Sequence, residues 1–511
     1  MVEDRMRTKS ALKNIVVSFG AYALLMILGL LVRRMVLYSF DVELVGYGGM
    51  LGNLFSLLGI ANLGADGMFN YRMYKAFAER NEKRIGKLLG MYKVMFQILG
   101  CILTVLCILI FFLLPIIFAG KISQWNYFRW MFVIQACTAI SSYFFSYWKS
   151  LLIAGQKEYK IVEIESVVQV LGLFAKAVVL WTTRDYLFYL FLTLVFGIAG
   201  MIFVAISARK TYPNIQVLKV EHRDFLEEGI VREIRDLFTI KVANAFNLNT
   251  DNLIIAFLID VKTSALYTNY VFVGSNVLTL LTKLTYPLTA SIANMLHEGE
   301  KERSYRFYKM YNLACGYLAA IIFVCFNVVF QPAITVLFGK QFLLSPGFVF
   351  MYSLVGYIAI KNQAIGSFRG VFGEFQVEKN YSIISLITNF TVSFVFGKWW
   401  GMPGIIFGTV LANLEIWHSR FVVVARTCFK LRVWQEWIKE AVFFVIVLVE
   451  WRIATRLTVA APFTWRGIIV CGLVGVMVTT GINTIIFCRT QAFHDLIRKV
   501  IGITKAKKEN S

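Results

Sequence analysis

The chain alternates long apolar stretches with short polar segments, many of which are basic. A helix needs about 20 apolar residues, roughly 17–25, to cross the hydrocarbon core of a bilayer. Membrane barrel strands would be about ten residues long and strictly alternating. The pattern therefore predicts an all-α, polytopic integral membrane protein with about 14 transmembrane helices. The apolar stretches lie at about 14–39, 46–66, 91–118, 127–153, 161–181, 186–207, 236–259, 264–295, 310–337, 346–371, 380–397, 403–425, 438–456 and 464–487.

Composition excludes a soluble protein. Of the 511 residues, 58% are apolar and only 16% are charged, and the mean hydropathy is +0.66. A soluble globular chain carries about 45–50% apolar and about 25% charged residues. Because this chain has too little polar surface to cover its apolar residues, lipid must cover them.

The net charge of +22, from 52 Lys and Arg against 30 Asp and Glu, would suggest a nucleic-acid partner on a soluble chain. With the N-terminus inside, 37 of the 52 cations fall on cytoplasmic segments and 9 fall on the opposite side. Short loops rich in Lys and Arg stay in the cytoplasm. The charge therefore predicts cytoplasmic N- and C-termini and no nucleic-acid partner.

The sequence contains no motif for catalysis, nucleotide binding or metal binding. Its eight cysteines stand singly and its four histidines are scattered, without CxxC, HExxH, Walker, GxGxxG or GxSxG patterns. The loops predicted outside are too short for a catalytic domain. We predict no enzyme activity, no metal site and no cofactor. The first apolar run ends in Arg33-Arg34 without a cleavage site, so we expect it to be retained.

Two basic segments outside the spans have helical spacing of their apolar residues. Both His222–Phe238 and the tail Gln491–Thr504 show this pattern. Such segments are typical of helices that lie in the membrane interface.

A weak internal repeat divides the chain. Asp41 lies 51 positions before Tyr92, and Asp260 lies 51 positions before Tyr311, in similar contexts. Because each copy would hold six spans, an even number, both copies enter the membrane in the same direction. We predict two six-helix lobes related by a pseudo-twofold axis, at 1–210 and 211–430, with two additional spans and a cytoplasmic tail at 431–511.

Charged residues inside the spans are the candidates for function, because a charge at mid-bilayer costs about 2.5–3.5 kcal/mol unless it has a partner or a cavity. The interior cations predicted to bind substrate are Arg33, Arg34, Lys283 and Lys361; Lys176 is a further interior cation without an assigned role. Arg suits phosphate oxygens because of its planar fork. An excess of interior cations indicates an anionic substrate, although ion pairs or snorkelling could explain each single residue.

Coupling or gating residues are predicted from the interior carboxylates and from one proline. Pro287 follows Lys283 by four residues and removes a backbone hydrogen bond there, so it should kink the helix. The carboxylates could couple transport to protons or Na⁺, or could form structural salt bridges. The predicted coupling or gating residues are Asp66, Asp251, Glu163 and Pro287.

Short motifs lie along the chain at Lys13-Asn14, Ser18-Phe19, Leu28-Gly29-Leu30, Tyr38 to Leu44 with Gly46-Tyr47, Leu57 to Gly64, Tyr71 to Lys75, Asp251-Asn252 and Tyr267 to Tyr270. In these motifs the chain resembles bacterial polysaccharide flippases of the Wzx type, which belong to the MOP superfamily with the lipid II flippases and multidrug exporters. The resemblance implies flipping of undecaprenyl-diphosphate-linked oligosaccharide across a bacterial cytoplasmic membrane by alternating access through a cationic central cavity. It implies membrane lipids and polysaccharide assembly enzymes as partners. A lipid II flippase and a cation-coupled multidrug exporter of the same superfamily are the alternatives.

Overall fold

The computed structural model confirms an all-α chain wherever it describes the residues. The described ranges are 24–58, 79–117, 124–155, 157–221, 250–285, 301–372 and 375–498, with isolated positions at 20, 22, 72–74, 76, 77, 122 and 224. Seven of the described helices are long and apolar enough to cross a membrane. Each of the fourteen predicted spans is predominantly helical over its described part.

The helices divide between two compact units, of which the first comprises residues 1–256 and 260–265 and the second comprises 257–259 and 266–511. The first contains α1 (24–39), α2 (Val42–Leu58), α3 (Glu82–Ile117), α4 (Trp125–Phe145), α5 (Tyr147–Ala154), α6 (Glu158–Thr182), α7 (Tyr186–Thr211) and most of α8 (250–258). The second contains most of α9 (Val261–Thr285), then α10 (Lys301–Leu337), α11 (Pro346–Phe372), α12 (Phe375–Trp400), α13 (Met402–Val423), α14 (Val433–Thr458), α15 (Trp465–Phe487) and a short terminal helix over 491–498. The predicted division at 210 and 430 stays a prediction from the repeat.

In the first unit, α7 packs against α4 and α6, and α4 also packs against α2 and α3. The extended segment 215–221 crosses the polar start of α3, where a Cβ on Gly90 would lie 2.1 Å from the Leu218 carbonyl oxygen. Only glycine permits this approach. Lys87, on the same turn, forms an ion pair of 2.7 Å with Asp224 and lowers the pKa of that carboxyl.

In the second unit, α10 lies at the centre and packs against α11, α14 and α15. The two helices predicted as additional spans, α14 and α15, therefore pack against α10 within the second unit. A π-helical turn, Val424–Cys428, follows α13, and Lys430 has a φ of 52° before α14 begins. Residues 222, 223 and 225–238 of the first predicted interfacial helix lie outside the described residues, whereas 491–498 of the second are helical.

Candidate functional site

Two of the interior cations lie near a pair of stacked tyrosines in the first unit. The rings of Tyr186 and Tyr189 stack with centroids 5.5 Å apart and an interplanar angle of 9°. Lys176 of α6 places its Nζ 5.3 Å from the centroid of the Tyr189 ring. Arg33 of α1 lies in the neighbourhood of both tyrosines. We call these four residues the cation–tyrosine cluster.

The local sequence explains why the tyrosines share one face. They are three residues apart at the start of α7, so both project from the same side of the helix. Asp185 caps this helix, because its carboxylate accepts a hydrogen bond of 2.8 Å from the Leu187 backbone N–H. The Tyr127 hydroxyl donates to the same carboxylate at 3.0 Å and ties α4 to the cap. The start of α7 is therefore held from two sides.

The cluster lies near the ends of its helices. Arg33 and Lys176 each stand six residues before the end of α1 and α6, which places them about 9 Å from those ends at 1.5 Å per residue. The connection between α6 and α7 has only three residues, so the tyrosines begin the next helix at the same end. The charge distribution predicts that this end faces outward.

The cluster places an arginine and a lysine near stacked aromatic rings. The fork of Arg33 can hold two oxygens of a phosphate at once, whereas the ammonium of Lys176 is a compact point charge. No carboxylate among the described residues forms an ion pair with Lys176, which is part-buried. Arg34 is not part of the cluster, and its Cζ lies 5.5 Å from the centroid of the Tyr38 ring. The arrangement can bind an anion at Arg33 and Lys176.

Gly48 of α2 provides the space for Tyr186. A Cβ at this position would lie 2.2 Å from the Tyr186 hydroxyl oxygen, and that tyrosine is buried. We expect Gly48→Ala to displace the ring and to destabilise the protein by about 1–3 kcal/mol, measured as a lower melting temperature of the purified protein. Gly52→Ala is the control, because its Cβ would meet only the Gln135 amide oxygen at 3.8 Å. Equal melting temperatures for both variants would contradict the packing argument.

Lys361, a predicted substrate-binding residue, is buried in the second unit beside a carboxylate from α14. Its Nζ lies 2.7 Å from Oε2 of Glu440, and both side chains are less than 10% exposed. Asn312 of α10 bridges the pair, donating from Nδ2 to Glu440 Oε1 at 3.0 Å and accepting from Lys361 Nζ at 3.3 Å. Any contact of Lys361 with substrate would require this network to open.

A second buried carboxylate lies on the same helix. Glu450 is fully buried, and its Oε1 accepts a hydrogen bond of 2.7 Å from Nδ2 of Asn483 on α15. Among the described residues no Lys or Arg forms an ion pair with it. Neither Glu440 nor Glu450 is among the interior carboxylates predicted from the sequence. The sequence feature that indicates them is the presence of two acidic residues within the apolar stretch of α14.

The remaining predicted coupling residues do not converge in the described part of the chain. Asp251 is buried, and its neighbour Asn252, also buried, accepts a hydrogen bond from the Ser264 hydroxyl. Glu163 is exposed, and the nearby Glu165 forms an ion pair with Lys149. Asp66, Pro287 and the side chain of Lys283 lie outside the described residues. Among the described His, Cys, Asp and Glu side chains, no group of three could hold a metal ion.

Comparison with solved structures identifies the fold. A lipid II flippase, MurJ, in an inward closed conformation superposes with a TM-score of 0.67 at 16% identity, covering 94% of this chain and 100% of that one. The chain has the MOP fold. An inward-facing multidrug resistance MATE transporter of the MOP superfamily gives a TM-score of 0.58 at 12% identity, covering 80% of this chain and 96% of that one.

A third solved structure agrees with these two. A mutant of the Vibrio cholerae MATE transporter VcmN gives a TM-score of 0.58 at 13% identity, covering 82% of this chain and 98% of that one. No family model matches the sequence, and no curated protein matches it. At these identities the likeness establishes the MOP fold and confirms the predicted polytopic all-α class.

Proposed function

We propose that the protein is a flippase that moves undecaprenyl-diphosphate-linked oligosaccharide from the inner to the outer leaflet of a bacterial cytoplasmic membrane. Both termini would lie in the cytoplasm, and the two lobes would alternate in access. The protein would act as a transporter and not as an enzyme. The observation that supports the proposal is the cation–tyrosine cluster, in which Lys176 lies over the ring of Tyr189, Tyr189 stacks on Tyr186, and Arg33 lies in the neighbourhood of both tyrosines.

The chemistry of the cluster supports a diphosphate as the group that is held. Each phosphate oxygen can accept charge-assisted hydrogen bonds from Arg33 or Lys176, and such bonds are about twice as strong as neutral ones. Tyrosine hydroxyls are hydrogen-bond donors as well. Arg34 and Lys283 remain proposed contacts of the same substrate. Asp66, Asp251, Glu163 and Pro287 remain proposed coupling or gating residues, with a proton or Na⁺ as the coupling ion.

The direction of transport is consistent with a membrane potential that is negative inside. Moving a diphosphate of charge about −2 outward across 100 mV is favoured by about 4.6 kcal/mol, at about 2.3 kcal/mol per charge. A nucleotide site is then unnecessary for net export.

The alternatives differ in the charge of the substrate. A multidrug exporter for organic cations would need accessible carboxylates, whereas the cluster supplies cations. A lipid II flippase is among the similar solved structures, so a lipid-linked cargo suits this fold. Lipid II carries the same diphosphate, so it stays the second candidate.

A flipping assay tests the proposal. The purified full-length protein would be reconstituted in vesicles that contain a fluorescent undecaprenyl-diphosphate-linked oligosaccharide, and dithionite would quench the label in the outer leaflet. We expect quenching of the inner-leaflet label only in vesicles with protein, at a higher rate than for labelled lipid II. Parallel vesicles with a fluorescent organic cation would show no uptake or efflux. Cation transport without lipid flipping would contradict the proposal, and faster flipping of lipid II would favour the second candidate.

A further inference from the structure

A cationic cavity lies at the elbow between α13 and α14 in the second unit, away from the cation–tyrosine cluster along the chain. It has a volume of about 600 Å³, and its polar and aromatic lining consists of His418, Arg426, Arg432, Trp434 and Trp437. No carboxylate of the described chain is part of that lining. Neither arginine forms an ion pair with any residue that the structure describes. The cavity therefore carries two positive charges that the described protein does not neutralise.

The backbone of the elbow places the two arginines on either side of the turn. Arg426 lies in the π-helical turn that follows α13, and Arg432 is the residue before α14. The Leu431 backbone N–H donates to the Ala425 carbonyl at 2.7 Å, which closes the turn between them. π-Helical turns are frequent at functional sites. The cavity is thus built by a defined, hydrogen-bonded turn.

His418 lines the cavity, and one of its ring nitrogens is fixed by a hydrogen bond. Nε1 of Trp437 donates to Nδ1 of His418 at 3.0 Å, and the Tyr381 ring lies 5.8 Å from the imidazole on another side. Because Nδ1 accepts this hydrogen bond, the neutral imidazole carries its proton on Nε2. No described residue accepts a hydrogen bond from Nε2. A lining residue of the cavity therefore carries an N–H donor in addition to the two guanidinium groups.

The cavity continues into an apolar surface that the described protein leaves uncovered. Trp434 is 60% exposed at the cavity edge, and tryptophan is enriched at the headgroup level of membranes. Ile438, Val442, Val445 and Val449 follow it at helical spacing, each more than half exposed. From Ile438 to Val449 the stripe covers about 16 Å at 1.5 Å per residue, close to the thickness of one hydrocarbon leaflet, about 15 Å.

We infer that this cavity binds the phosphate of an anionic phospholipid, with Arg426, Arg432 and the Nε2–H of His418 on the phosphate oxygens and an acyl chain along the stripe of α14. Basic pockets between transmembrane helices on the cytoplasmic side bind lipid headgroups of this kind. The elbow belongs to the basic segment Arg420–Lys439 that the charge distribution places in the cytoplasm. The combined cationic cavity and leaflet-length stripe selects a phospholipid over a soluble phosphate, which would use the cavity alone.

The test measures lipid binding and does not depend on what the protein transports. Delipidated full-length protein would be titrated with phosphatidylglycerol, phosphatidylcholine, undecaprenyl phosphate or inorganic phosphate, with native mass spectrometry and melting temperature as readouts. The variant is the double substitution Arg426→Gln with Arg432→Gln. The matched control is Lys430→Gln, which removes an exposed cation of the same elbow that does not line the cavity.

We expect phosphatidylglycerol to bind and to raise the melting temperature, and phosphatidylcholine and inorganic phosphate to do neither at the same concentration. The double variant should bind phosphatidylglycerol about 100-fold more weakly, since two charge-assisted contacts are lost. Lys430→Gln should bind it as the unsubstituted protein does. Equal binding of phosphatidylcholine, an equal effect of inorganic phosphate, or unchanged binding by the double variant would each overturn the inference. Tighter binding of undecaprenyl phosphate that the double variant abolishes would also overturn it.

Discussion

We expect Glu440→Gln to destabilise the protein by about 3–5 kcal/mol, because it leaves the Lys361 ammonium buried beside a neutral amide. The ammonium lies 2.7 Å from the carboxylate, and Asn312 satisfies the second oxygen. Three helices, α10, α11 and α14, meet at this network. The measurement is the melting temperature of the purified protein and the fraction that remains monodisperse after heating.

The chain offers a matched control for this prediction. Glu450→Gln makes the same chemical change on the same helix, at a carboxylate that is also buried but has no ion pair among the described residues. Its Oε1 can still accept the hydrogen bond from Asn483 after the substitution. We therefore expect little loss of stability from Glu450→Gln.

A double substitution separates the unpaired charge from the loss of packing. Lys361→Met combined with Glu440→Gln removes both charges and should recover most of the stability that Glu440→Gln loses, since replacing a buried ion pair by neutral groups is often close to neutral. If the double variant is less stable than Glu440→Gln alone, or if Glu450→Gln is as destabilising, the ion-pair explanation is wrong.

The fold was largely predictable because segments that face lipid must be apolar, and hydropathy measures this property directly. The predicted span at 310–337 and the helix Lys301–Leu337 end at the same residue, but the helix begins nine residues earlier. The helix Glu82–Ile117 likewise begins before the apolar stretch at 91. Helical hydrogen bonds continue into polar sequence. Hydropathy therefore indicates the part of a helix that crosses the membrane and not the residues at which the helix begins and ends. The π-helical turn after α13 has no such compositional signal.

The candidate site was predictable only in part, because partners far apart in sequence leave no local pattern. The apolar context of Arg33, Lys176 and Lys361 identifies them as interior cations but indicates none of their contacts. Lys361 forms an ion pair with Glu440, which lies on α14, and Lys176 lies over the ring of Tyr189, which belongs to α7. The excess of interior cations marked these residues as candidates, and their role in binding a substrate stays a prediction. Helix packing decides which cations have an ion-pair partner. Lys361 has one in Glu440, whereas Lys176 has none among the described residues.

The cation–tyrosine cluster leads to the prediction with the largest effect on transport. A hydrogen bond to a charged group contributes about 1.5–3 kcal/mol, and each 1.4 kcal/mol is a factor of about ten. We therefore expect Arg33→Gln and Lys176→Met each to lower the rate of diphosphate-lipid flipping by about 10- to 100-fold. Lys176→Arg should retain much of the rate, because it keeps the positive charge near the Tyr189 ring. The measurement is the initial rate of dithionite quenching at equal amounts of reconstituted protein.

Arg129→Gln is the matched control for these variants. Arg129 is a cation of the same unit and stands over an aromatic ring, with its Cζ 4.8 Å from the Phe111 centroid, but it is not part of the cluster. If the flipping rate depends on general positive charge, Arg129→Gln should slow it as much as Lys176→Met does. If the rate depends on the cluster, Arg129→Gln should leave it unchanged, and only the loss of Arg33 or Lys176 should matter. Full flipping rates in both cluster variants, with unchanged melting temperatures, would remove the cluster from the transport path while leaving the fold and the proposed cargo to be tested separately.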